Sequence, residues 1–130
     1  MDVQRTQIEA VGRIVVDSAY HVHKELGPGL LESTYQGCLA HELRSRNCTV
    51  ECELELPVRY KGLDIDVGYR IDMIINDLVV IENKSVKKLL PVHEAQILTY
   101  LKLSGHRLGY LINWNVPLLR NGLQRLVLRL

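Results

Sequence analysis

The chain has 130 residues, a length that fits one domain, residues 1–130, around a single core. Hydrophobic residues make up 47% and charged residues 24%, a balance that excludes a disordered or low-complexity chain. A net charge of +1 excludes a uniformly basic nucleic-acid binder, so any basic surface has to be local. Cys38, Cys48 and Cys52 form no CxxC pair and have no histidine at metal-finger spacing. They read as reduced thiols of a cytoplasmic protein. The polar start of the chain is unlike a signal peptide, and no apolar run approaches the roughly 20 residues that span a bilayer. A membrane is therefore not an expected partner. Phenylalanine is absent, so tyrosine and the aliphatic residues must fill the core.

Ile8, Val11, Val15, Ala19, Val22 and Leu26 recur at helical spacing and predict a first helix over about 6–26. Gly27-Pro28-Gly29 ends it, because glycine supplies the left-handed cap and proline cannot continue the helix. A second helix is expected over about 30–46, with Leu31, Tyr35, Cys38, Leu39 and Leu43 on its inner face. From Thr49 the period changes to two. Residues 49–60 read as a strand in which Pro57 favours an edge or a bulge. Residues 61–64 read as a turn, 65–75 as a second strand and 78–84 as a third. Pro91 opens a third helix ending near Ser104, residues 107–114 form a buried fourth strand, and 122–130 a short fifth. The order predicts an α/β (α+β) fold with one mixed sheet. Three strands form an antiparallel meander, and a helical crossover then leads to a parallel strand.

The chemistry concentrates at the end of the meander. Asp72 follows an apolar stretch, and Glu82-Asn83-Lys84 ends the next one. Side chains alternate along a strand, so Glu82 and Lys84 share a face and Asn83 takes the other. Two carboxylates can hold a hard divalent cation, and a lysine beside them can position water or steady developing negative charge. The alternative for Lys84 is a plain salt bridge to Glu82 or Asp72.

Register decides whether these residues meet. A two-residue turn at Asn76-Asp77 would set Ile75 opposite Leu78 and Asp72 opposite Ile81, turning Asp72 away from Glu82. A three-residue loop, or a bulge, would pair Ile75 with Val79 and Asp72 with Glu82. The metal-site reading thus requires an odd connection.

Further candidates lie in the helices. Gln96 and Tyr100 are four apart and share a face, with His93 one turn earlier. They are either a half-exposed polar stripe or partners of something polar opposite. Glu32 opens the second helix, where the helix dipole alone favours an acid, yet it borders the buried face. Lys87 and Lys88, with Lys102 and Arg107 further on, are candidate phosphate contacts, as is His93. No aromatic cluster is visible for base stacking. His21 and His23 lie at no convincing ligand spacing.

Gly29-Leu30-Leu31-Glu32-Ser33-Thr34-Tyr35 resembles the G-x-x-E-x-x-Y signature of a family of small bacterial proteins assigned to the PD-(D/E)XK nuclease superfamily. The resemblance runs over nearly the whole chain. It takes in His23 to Gly29, the Asp72 strand, Glu82-Asn83-Lys84, His93, Gln96, Tyr100 and the Leu111-Ile112-Asn113 strand. Gln96-x-x-x-Tyr100 is also similar to the Q-x-x-x-Y motif of the exonuclease-like branch. The resemblance implies a restriction-endonuclease-like fold, a central mixed sheet flanked by helices. It further implies that Asp72 and Glu82 ligate Mg²⁺ (or Mn²⁺), with the Asn83 carbonyl as a third ligand and Glu32 reaching the metal directly or through water. Lys84 would orient or help deprotonate the attacking water. Gln96 and Tyr100 would support Lys84 or contact the scissile phosphate. Asn83 departs from the pattern, which more usually has an apolar residue there.

The expected function is Mg²⁺-dependent hydrolysis of phosphodiester bonds, with DNA as the expected substrate. So small a chain would act as a homodimer or be targeted by a protein partner. The alternative is a catalytically inactive module of the same fold that binds nucleic acid or a protein. A third reading is an oligomeric scaffold built on the two N-terminal helices.

Overall fold

The structure, a computed structural model, describes residues 2–65 and 68–130. Helix α1 spans Val3–Leu26, earlier at its start than the periodicity predicts, because Asp2 caps it by accepting the Arg5 N–H at 3.0 Å. Helix α2 spans Glu32–Ser45, two residues later than expected. Leu26 and Leu31 lie outside the core, 38% and 73% exposed, because both stand at the loop that joins the helices. Tyr35, Leu39 and Leu43 are buried as their spacing demands, and Cys38 is half-buried.

The expected strand over 49–60 is two strands, β1 (Val50–Glu55) and β2 (Val58–Tyr60). Pro57 stands between them, where it cannot donate to a ladder. The Leu56 N–H makes the last bond before it, to the Tyr69 carbonyl at 2.8 Å. Strand β2 then turns at Lys61-Gly62 into β3 (Leu63–Ile65), and the two form a separate hairpin. The turn expected over 61–64 is thus shorter than predicted, with Leu63 and Asp64 already in β3. Ile65 belongs to this hairpin, so the strand expected over 65–75 reduces to β4 (Arg70–Ile75). Asp66 and Val67, part of that expectation, lie outside the described residues.

Strand β5 (Val79–Lys84), helix α3 (Pro91–Ser104), strand β6 (Leu108–Asn113) and strand β7 (Leu123–Val127) complete the elements, with a short 3₁₀ turn over Leu119–Asn121. The main sheet has the order β1-β4-β5-β6-β7. β1, β4 and β5 form the antiparallel meander, and α3 carries the chain to β6, parallel to β5. This is the mixed sheet flanked by helices that the element order predicts.

Helices α1 and α2 cover one face of the sheet and α3 the other. Val15, Tyr35, Leu39, Met73, Ile81, Ile112 and Trp114 pack on the first side. Ile74, Val80, Ile97, Leu101 and Leu111 pack on the second. Each such aliphatic side chain contributes about 1.5–3 kcal/mol by leaving water. Two glycines set close approaches. A Cβ on Gly109 would meet Ile97 at 3.0 Å, so α3 can lie tightly on β6. A Cβ on Gly122 would stand 2.1 Å from the Asn113 carbonyl oxygen, where the chain folds back into β7. No helix among the described residues is long and apolar enough to cross a membrane.

The connection between β4 and β5 is odd. Ile75 pairs with Val79, leaving the three residues Asn76, Asp77 and Leu78 between them. Asn76 and Asp77 take φ of 51° and 53°, the left-handed region that Asn and Asp tolerate best. Asn76 is held further by β1: its Oδ1 accepts the Thr49 N–H at 2.8 Å, and its own N–H donates to the Thr49 carbonyl. His106 Nε2 lies 3.0 Å from Asp77 Oδ1. Asn76→Ala is therefore expected to destabilise the fold by about 1–3 kcal/mol in urea unfolding, from the lost bonds and the strained backbone. Asn76→Gly keeps the backbone freedom and is expected to lose less.

Candidate active site

With Ile75 opposite Val79 and Met73 opposite Ile81, the next row of the ladder sets Asp72 opposite Glu82. Here the regular backbone bonds stop and side chains replace them. Glu82 Oε1 accepts the Asp72 N–H at 2.9 Å, and Asp72 Oδ2 accepts the Asn83 N–H at 2.8 Å. The two acids thus part the strand ends and occupy the gap. The same row reaches β1. Cys52 pairs with Met73 and Leu54 with Ile71, so Glu53 stands across from Asp72. Glu53 has a φ of 55°, a local break in the strand. Ile71 and Ile74, three residues apart, both join the α3-side core, which strict alternation does not allow. This distortion lets Asp72 open onto the α2 side of the sheet.

Charge in the gap is unbalanced. Glu82 is 3% exposed, and burial, with the Asp72 charge next in weight, pushes its carboxyl up to about 8. Burial also raises Asp72, opposed chiefly by the bond from the Asn83 N–H, with Glu53 and Glu32 adding negative charge. Lys84 favours the ionised form of both acids. Among the described residues no carboxylate lies within ion-pairing distance of Lys84, so the plain salt bridge is not its arrangement.

Asn83 points to the α1/α2 face, opposite to Glu82 and Lys84, as alternation requires. Its side chain accepts the Trp114 indole N–H at 3.0 Å and donates to Gln36 Oε1 at 3.3 Å. An amide here, instead of an apolar residue, is explained by these partners. Gln36 in turn donates to Glu53 at 2.9 Å. Glu32, the first residue of α2, accepts the Ser85 N–H at 3.1 Å, and the Ser85 hydroxyl donates to the Leu30 carbonyl. These bonds fasten the start of α2 to the end of β5. Tyr35 braces the same loop by donating to the Gly27 carbonyl and stacking on Trp114 at 4.9 Å. The result is an open cleft of about 840 Å³ lined by Glu32, Gln36, Glu53, Asp72 and Ser85. Glu53 and Gln36 escape sequence reasoning. Glu51, Glu53 and Glu55 alternate like the wet face of an ordinary strand, and only the break at Glu53 turns it toward Asp72.

On the other face, Gln96 Nε2 donates to the Tyr100 hydroxyl at 2.8 Å. Burial raises the Tyr100 hydroxyl above its ordinary pKa, and the Glu82 charge, next in weight, raises it further. Tyr100 is buried and Gln96 half-buried, each the other's hydrogen-bond partner. His93 caps α3: its Nδ1 accepts the Leu90 N–H at 3.0 Å. Lys87 and Lys88 are exposed just beyond β5. Arg107 is a correction. It lies at the far end of β6, where Leu108 pairs with Val79, and its guanidinium bonds Asp2, Gln4 and the Arg129 carbonyl. It ties the two termini together. His23 is likewise structural, with Nε2 2.9 Å from the Val116 carbonyl.

Asp72 and Glu82 offer hard oxygen donors, and their unbalanced charge is what a divalent cation would relieve. The donor set fits such an ion. No three His, Cys, Asp or Glu among the described residues form a closed metal-holding group, so the rest of the shell would come from main-chain oxygen and water.

A pH effect follows. Glu82 binds its proton more tightly folded, near 8, than unfolded, near 4.5. Without divalent metal, stability should therefore fall as pH rises from about 5 to 8, by an amount on the order of a few kcal/mol. Urea midpoints across this range in a chelator test it. Glu82→Gln is expected to flatten the slope, and a slope unchanged by that substitution would contradict the assignment.

The family model described as PD-(D/E)XK nuclease superfamily matches residues 9–126. No curated protein and no solved structure matches the chain. Members of this superfamily generally use divalent metals and act on nucleic acid. The match runs from within α1 to within β7 and takes in the row of acids at the parted ends of β4 and β5, and the chain belongs to the PD-(D/E)XK nuclease superfamily.

Proposed function

We propose that the protein hydrolyses phosphodiester bonds of nucleic acid, with DNA as substrate and Mg²⁺, replaceable by Mn²⁺, as cofactor. The observation that carries this reading is the row in which Asp72 and Glu82 face each other across the parted strands with Lys84 beside them. When bound, Mg²⁺ supplies positive charge to the phosphate and makes water more acidic. Asp72 and Glu82 would hold it, with the Asn83 carbonyl as a third donor and Glu32 reaching it through water. Lys84 carries an ammonium not committed to an ion pair among the described residues, suited to orienting the attacking water or steadying charge on the phosphate. The Tyr100–Gln96 pair would support Lys84 or contact the scissile phosphate. Asn83, held by Trp114 and Gln36, fixes the strand end that carries both Glu82 and Lys84. Gly29, Glu32 and Tyr35 support assignment to the G-x-x-E-x-x-Y family. Lys87 and Lys88, exposed beside β5, and His93 would contact backbone phosphates.

Linear and circular DNA, and RNA, incubated with Mg²⁺ or Mn²⁺ test the proposal. Cleavage is expected to disappear in a chelator and to drop about 100-fold or more in Lys84→Ala and Glu82→Ala. Circular dichroism would confirm that both variants remain folded. Tyr100→Phe is expected to cost about 10-fold. Metal-independent cleavage, or equal background in all proteins, sinks the proposal and favours an inactive binding module. Replacing both Lys87 and Lys88 by alanine is expected to weaken binding to every sequence alike and to lower the salt slope by about 2.

A further inference from the structure

The two sides of the candidate site differ in charge. The cleft on the α2 side carries Glu32, Glu53 and Asp72 against Arg44 among its described lining residues, so its net charge is negative and disfavours a polyanion. On the α3 side, β2, Tyr69 and α3 enclose a groove of about 670 Å³, within the roughly 300–1,000 Å³ typical of small-ligand sites. The described residues that line it include Lys102 and His93 and no acid. Its walls are otherwise largely apolar, with Val58 on one side and Val92 and Leu103 on the other. Tyr69 remains 49% exposed, an aromatic face not used up by packing. Gln96 and Tyr100 also line the groove, on the helix that packs over β6, the strand beside β5. His93 Nδ1 is occupied by the Leu90 N–H, which leaves Nε2–H as a donor.

We propose that this groove receives an unpaired nucleotide of the substrate strand, its base stacked on Tyr69 and its phosphate drawn by Lys102. The inference rests on the nucleic-acid reading above and deepens it by naming the substrate class. Every base has a π-face, so stacking on Tyr69 selects unpaired over paired nucleotides without selecting sequence. Bases inside a blunt duplex are stacked on one another and do not reach the groove. Substrates with an overhang, a flap or a frayed end are the ones that fit.

Binding, measured apart from cleavage, tests this. Fluorescence anisotropy in Ca²⁺ compares a blunt duplex with the same duplex carrying a short single-stranded overhang. The overhang is expected to bind about tenfold more tightly. Tyr69→Ala should abolish that preference and Tyr69→Trp should keep it. Tyr20→Ala, at a half-exposed tyrosine of α1 that lines a different pocket, should leave it unchanged. Equal affinity for the two duplexes, a preference that survives Tyr69→Ala, or no binding to either duplex overturns the groove assignment, leaving the cleavage assay to judge the nuclease reading separately. A Tyr69-dependent preference in a protein that cleaves nothing upholds the groove and overturns only the nuclease reading. Displacement of the overhang duplex by an apolar peptide that binds wild type and Tyr69→Ala equally would mark the groove as a protein-docking surface and overturn the proposal.

Discussion

Two acids hold the ends of β4 and β5 apart by taking the backbone N–H groups that a regular ladder would have paired with carbonyls. Asp72 accepts from Asn83, and Glu82 accepts from Asp72. This exchange satisfies the main chain while leaving two carboxylates buried together. Burying like charges is costly, and it raises both the Glu82 and the Asp72 carboxyls. The rest of the structure supports the exchange. Asn83 is held from the far face by Trp114 and Gln36, and the start of α2 is tied to Ser85 through Glu32.

The exchange depends on register, and register depends on one turn. A two-residue connection after Ile75 would have shifted Glu82 by one position, out of the row it shares with Asp72. Within that row the break near Ile71 opens Asp72 toward α2 while Glu82 lies on the face opposite to Asn83, so the two meet between the parted strands and not on a common face. The three-residue connection persists because Asn76 and Asp77 accept left-handed backbone and because Thr49 and His106 hold them. A stability feature about as far from the acids as the strands allow thus sets the geometry of the acids. Trp114 has a comparable role at the other end, joining Tyr35, His23 and Asn83 in one buried group.

The arrangement also gives the sheet two unlike sides. Toward α2 the site is acidic and polar, suited to a cation. Toward α3 it is apolar and aromatic with a lysine at its edge, suited to a nucleotide. The acids lie between, where a cation and a phosphate would have to meet for hydrolysis. The charge difference between the two sides is a property of this chain's own residues.

Much of this was legible in the sequence. The periods of 3.6 and 2 located all three helices and the main-sheet strands, because each buries one face and the pattern of apolar residues must follow. Alternation alone put Glu82 and Lys84 on one face and Asn83 on the other. The need for an odd connection before Val79 was also readable, since face and register are linked by parity. Other features were decided only in three dimensions. The hairpin β2–β3 was hidden because Pro57 interrupts a pattern that reads as continuous, and Leu26 and Leu31 were misplaced because helix ends leave the core before the periodicity fades. Glu53 and Gln36 carry no local signal. Glu53 joins the acids through a single backbone distortion, and Gln36 through a partner 47 residues away. Tyr69 and Tyr100 stand 31 positions apart in the chain and line one groove only because α3 folds back over the sheet. The sequence determined which residues could do chemistry and on which face of each element they stand. Which of them share a site was settled by tertiary structure, because contacts between elements depend on register, distortion and crossover, none of which a local pattern encodes.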